Sequence, residues 1–127
     1  PESYLDLMEA IDRDGFGVHM DPVNTITSLD AYYHTGREID HWFDVLGEHI
    51  VSCHAKDIQL GTTLTLHLNE CRPGTGNLDY PRLIQRLLEL EAEREEETCL
   101  MLEHMTQRQD YVLAMEFLES VLSELGE

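Results

Sequence analysis

Apolar positions follow two alternating rhythms along the chain. Leu5, Met8, Ala10 and Ile11 keep helical spacing between Ser3 and Arg13, with Ser3 as the expected cap and Asp14-Gly15 as the stop. Phe16 to Met20 reads as a short strand that Pro22 prevents from continuing. The helical period returns over Ser28 to Leu46 through Leu29, Tyr32, Tyr33, Ile39, Trp42, Phe43 and Leu46, interrupted near Gly36 and closed by Gly47. His49 to Ile58 is a second strand with Lys56 and Asp57 near its end, and the Thr- and Leu-rich stretch Thr62 to Glu70 is a third. After the turn Arg72-Pro73-Gly74-Thr75-Gly76, Asp79 caps a helix carrying Leu83, Ile84, Leu87, Leu88 and Leu90. The charged run Glu89 to Glu97 is the solvated end of that helix and its loop. Thr98 to Glu103 is a fourth strand, and Tyr111 to Leu125 a last amphipathic helix.

One helix followed by four strand–helix units predicts an α/β fold with parallel pairing through right-handed crossovers. In such sheets function gathers at the C-terminal strand ends, where the connecting loops converge. The four predicted ends carry Asp21, His54, Glu70 and Glu103, three carboxylates and an imidazole, which is a ligand set for a divalent cation. Alternation places His19 with Asp21, Ser52 with His54 and Lys56, and Cys99 with Met101 and Glu103; Val51, Cys53 and Ala55 fall on the opposite face. Like-charge repulsion and desolvation would destabilise a buried carboxylate cluster unless a cation neutralised it. Gly74 and Gly76 beside Asp79 either cradle an anion through backbone amides or make a tight turn.

The 127 residues form one domain, 1–127, against the roughly 250 residues of a complete (βα)8 barrel. Eight Lys plus Arg against 26 Asp plus Glu give a formal charge of −18, which repels nucleic acid and offers nothing to anionic lipid. No apolar run approaches the length of a membrane span, and the N-terminal residues lack the pattern of an export signal. Three cysteines without a paired spacing indicate neither a disulfide framework nor a thiolate zinc site, so a reducing, cytoplasmic setting is expected.

The strings His19-Met20-Asp21-Pro22-Val23-Asn24, His54-Ala55-Lys56-Asp57, Glu70-Cys71-Arg72-Pro73-Gly74-Thr75-Gly76-Asn77-Leu78-Asp79-Tyr80 and Leu102-Glu103-His104 resemble the sugar phosphate isomerase/epimerase family of xylose-isomerase-like barrels. The resemblance spans nearly the whole chain and keeps the family's order and spacing. It implies a (βα)8 TIM barrel of which this chain supplies strands five to eight, a half barrel. It also implies a divalent metal (manganese, cobalt, magnesium or zinc) held by Asp21, His54 and Glu103, with a fourth ligand from strand four outside this sequence. Glu103 would be one of two catalytic glutamates that move a proton beside the carbonyl of a sugar or sugar phosphate. Asn24, Lys56, Glu70 and Arg72 stand where substrate oxygens or a phosphate would be bound. By strand alternation His104 points away from Glu103 and is read as no ligand, and His34, His41, His49 and His67 as structural.

Two rival readings stand beside this one. An abasic-site endonuclease of the same superfamily would need histidine where Asn24 stands and an Asp and a His where Leu68 and Glu70 stand, and the charge of −18 opposes DNA. Half a barrel also leaves two sheet edges and one interior face uncovered, so the chain is expected either to self-associate as a homo-oligomer or to require a missing N-terminal half. On that view it is a non-catalytic fragment, inactive by itself.

Overall fold

The computed structural model describes residues 1–126. Helix α1 (Glu2–Ile11) starts from Pro1 without a side-chain cap, so Ser3 lies inside its first turn instead of capping it; Asp12 ends it in a left-handed turn at φ 42°. Strand β1 (Val18–Met20) leads through Asp21 into a 3-10 turn, Pro22–Thr25. Ser28 caps α2 (Leu29–Tyr33) by accepting from the Ala31 amide, and α3 (Thr35–Leu46) follows. The break between these helices falls at His34, not Gly36. Its anchor is Thr35, whose hydroxyl donates to the Asn77 carbonyl and accepts from the Asp79 amide, both at 3.0 Å, tying the start of α3 to the loop ahead of α4. The remaining elements are a second 3-10 turn (Gly47–His49), β2 (Ile50–Ala55), β3 (Asp57–Leu60), β4 (Leu68–Cys71), α4 (Tyr80–Arg94), β5 (Cys99–Leu102) and α5 (Arg108–Leu125).

Strands β1, β2 and β5 form one parallel sheet in the order β1-β2-β5, while β3 and β4 form a separate antiparallel hairpin. The fold is therefore mixed α/β with a parallel sheet, as expected, but four parallel strands are corrected to three. The third expected strand shrinks to Leu68–Cys71 and pairs with Asp57–Leu60, residues that the sequence pattern places at the end of the second strand and in the loop after it. The physical reason lies at Lys56, where β2 stops. Its carbonyl accepts from the Tyr80 hydroxyl at 2.7 Å instead of continuing the ladder, and the chain departs from the sheet.

One face of the sheet packs under helices. Met20, Ile50 and Cys53 join Ile39, Phe43 and Leu46 of α3 and Leu83, Ile84 and Leu87 of α4 in the main core. The paired residues His19, Ser52 and Cys99, and His54 with Met101, line the other, more open face. Val51 departs from the expected alternation: the register slips between Val18 and His19, so Val51 is an extra residue on β2 and stands 59% exposed. Among the described residues β1 and β5 are each paired on one side only, and no helix is long and apolar enough to cross a membrane.

Candidate metal centre

Asp21, His54 and Glu103 meet at the C-terminal rim of the parallel sheet, each offering one ligand atom within 4.8 Å of the others. Asp21 follows β1 directly, and its carboxylate accepts from the Asn24 side-chain amide at 2.9 Å, which fixes it at the head of the 3-10 turn. His54 lies in β2 with Nδ1 3.3 Å from Asp21 Oδ2 and 2.9 Å from Glu103 Oε2. Ligands about 2.1 Å from an octahedral ion lie about 3.0 Å apart along each edge, so these separations have the size of a coordination polyhedron. Glu103 Oε2 is buried and makes no hydrogen bond among the described residues, although two cationic or ring nitrogens stand near it.

Lys56, the chain's single lysine, is 4% exposed and reaches into the same place. Its Nζ lies 2.7 Å from Asp21 Oδ2, 3.2 Å from Glu70 Oε1 and 3.2 Å from Glu103 Oε2. Burial works against the ammonium, but contacts with Asp21, Glu70 and Glu103 outweigh it and hold the pKa above the ordinary lysine value. Glu70 comes from β4 of the hairpin, so the departure of the chain at Lys56 is what brings its carboxylate over the sheet. A hydrogen bond from His104, opposed by some burial and helped by Lys56, keeps the Glu70 pKa below the usual carboxylate range. Three carboxylates thus surround one ammonium, leaving two negative charges that one divalent cation would balance.

His104 corrects the alternation argument. Its backbone is left-handed at φ 60°, and the imidazole turns back to the site with Nδ1 2.7 Å from Glu70 Oε2 and Nε2 3.0 Å from Glu103 Oε1. Nothing in a one-dimensional pattern marks that turn, although histidine is among the residues that tolerate it. Arg72 does not reach the three candidate ligands. It donates to the Pro73 carbonyl, lies 3.8 Å from Asp110, and shares with Lys56, Glu70, Glu103 and His104 a cleft of about 190 Å³. Asn24 touches the site only through Asp21 and otherwise faces a second cleft beside Tyr4, His19 and Trp42.

The glycine-rich turn does hold an anion through its amides, and the anion is the chain's own. The Asp57 carboxylate, 1% exposed, accepts from Gly74 and Gly76 on Oδ2 at 3.0 and 2.8 Å, and from Ile58 and Leu78 on Oδ1 at 2.8 and 2.9 Å. A Cβ at Gly76 would stand 2.3 Å from Asp57 Oδ1, and Gly74 has φ 87°, so this clasp needs glycine at both places.

A divalent ion fits the residues present: the donors are two carboxylates and an imidazole, their spacing suits one ion, and the buried Glu103 oxygen aimed at that spot faces Lys56 and His54 without a hydrogen bond among the described residues. No protein-family model matches the chain, and no curated protein matches it. Among solved structures, the crystal structure of a xylose isomerase domain protein from Planctomyces limnophilus superposes with a TM-score of 0.72 at 20% sequence identity. The superposition covers 98% of this chain and 44% of that one, so the chain spans less than half the length of the protein it resembles. The fold is that of about half of a xylose-isomerase-like domain.

Proposed function

We propose that this chain carries the C-terminal part of the active site of a metal-dependent isomerase or epimerase acting on a sugar or sugar phosphate. The observation that carries the reading is the meeting of Asp21, His54 and Glu103 around one point, with a buried Glu103 oxygen that lacks a hydrogen bond. Asp21, His54 and Glu103 would hold a divalent ion, manganese, cobalt, magnesium or zinc, with further ligands from outside this chain. Such an ion supplies Lewis-acid polarisation of a carbonyl and its neighbouring hydroxyl. Glu103 takes or returns the proton at the carbon beside that carbonyl, working with a second acid/base group from outside this chain that stands on the other side of the substrate. Lys56 places a fixed positive charge where negative charge develops on the substrate oxygens. Glu70 accepts from a substrate hydroxyl, and Arg72 at the mouth of the cleft binds a terminal oxygen or phosphate. The Asn24 amide holds the Asp21 carboxylate in place.

Calorimetric titration of the chain with each of the four ions tests the centre. Stoichiometric uptake by the wild type and at least a roughly tenfold weaker isotherm for Glu103→Gln are expected. In a longer chain bearing the preceding strands, Glu103→Gln removes turnover and with it the incorporation of solvent deuterium beside the carbonyl. Wild-type turnover in that variant overturns the assignment.

A second reading concerns the free chain. The open edges of β1 and β5 and the exposed Val51 and Met101 favour cover by a second copy or by the remainder of a longer protein. Light scattering distinguishes these: a dimer supports the second copy, and a stable monomer excludes it.

A further inference from the structure

Glu103 has two oxygens in different circumstances. Oε2 faces His54 Nδ1 and Lys56 Nζ without a hydrogen bond, while Oε1 lies 3.0 Å from His104 Nε2. The other nitrogen of the same ring, Nδ1, is hydrogen-bonded at 2.7 Å to Glu70 Oε2, and Glu70 Oε1 in turn lies 3.2 Å from Lys56. One imidazole therefore spans two carboxylates that come from β4 and from the end of β5. It does so only because residue 104 is left-handed, at φ 60°; an extended backbone there would aim the ring away from Glu103. A conformation uncommon outside glycine, placed at a candidate site and used to make two polar contacts, is a functional signal.

We infer that His104 is a positioning residue for Glu103: anchored on Glu70, its ring holds Oε1, the oxygen that remains for proton transfer, to one side and leaves Oε2 as the single oxygen that carboxylate presents to the ion. The inference rests on the proposed metal site and goes beyond it by assigning how one ligand is aimed and how many of its oxygens bind. Free of that tie, the carboxylate can turn and chelate with both oxygens, which changes both the strength and the geometry of ion binding.

The test is a cobalt(II) titration of the full chain followed by visible absorption, comparing wild type, His104→Gly and His104→Gln. Glycine accepts the left-handed backbone, so that variant deletes the ring without straining the chain. Glutamine keeps a donor able to reach Glu103. Roughly tenfold weaker cobalt binding and an altered absorption band are expected for His104→Gly, with both largely restored in His104→Gln. Wild-type affinity and an unchanged band in His104→Gly overturn the inference. Should the wild type take up no cobalt, the metal reading falls by itself, and the tie is judged by carbon-13 shifts of the Glu70 and Glu103 carboxyls. Movement of both on His104→Gly supports the tie; constancy overturns it.

Discussion

Lys56 and Asp57 are neighbours in the chain and open onto opposite kinds of surroundings. Asp57 is a buried carboxylate with four backbone N–H donors, two for each oxygen, one from the next residue, Ile58, and three from the Gly74, Gly76 and Leu78 amides of the turn ahead of α4. On the Lys56 side, carboxylates of Asp21, Glu70 and Glu103 crowd one ammonium, and one of their buried oxygens has no hydrogen bond. Burying a carboxylate is costly in both places; the first offsets that cost with four backbone donors, whereas in the second the backbone gives Asp21 only a long bond from the Asn24 amide. The satisfied carboxylate holds the fold, and the under-satisfied cluster is where a ligand has something to gain. Asp57→Ala should then have the largest effect on stability of any change near the site. Four donors lose their acceptor together, and about 3 to 5 kcal/mol of unfolding free energy is expected to disappear. Urea denaturation measures it, and a loss below about 1 kcal/mol would mean that the amide clasp is incidental.

On the other side of the same peptide bond, Lys56→Met removes the only ammonium among three carboxylates. In chelator-treated buffer the variant should lose about 3 kcal/mol, because like charges remain buried without a counter-ion. The contrast with Asp57 lies in the rescue. A divalent ion that binds the folded cluster stabilises by mass action, so added manganese should raise the unfolding midpoint of Lys56→Met and leave that of Asp57→Ala as far below wild type as before. Equal responses of the two variants to the ion would erase the distinction between a structural carboxylate and a functional cluster.

Asp21, His54 and Glu103 are legible in the sequence because each sits at or beside the end of a short strand whose alternating residues face one way. The helices α3 to α5 are legible for a similar reason, a sustained period of apolar positions. What escaped depends on partners distant in the chain. The Thr62 to Glu70 stretch has the composition of a strand, but composition does not say which strand it joins, and the Asp57 clasp and the Tyr80 hydrogen bond decide that it folds back on β3. Val51 and His104 escaped because alternation assumes an unbroken extended chain, and a bulge at one and a left-handed turn at the other interrupt it.

Glu70 stands between the two regions, partly exposed and tied to both Lys56 and His104, so its contribution to stability should be the smallest of the three and should depend on acidity. Its folded pKa lies below the ordinary value, first through the His104 hydrogen bond and then through Lys56. A depressed carboxylate stabilises the fold above its unfolded pKa of about 4.3, and the stabilisation is lost as pH falls through the lower folded value. Glu70→Gln should therefore be less stable than wild type at pH 6 to 7 by less than about 1 kcal/mol, given the solvent screening of an exposed pair. The difference should close on acidification through and below pH 4, as wild-type Glu70 becomes protonated. Denaturant midpoints of the two chains across that range measure it; a gap that stays constant down to pH 3 would show that Glu70 acts through packing and not through its charge.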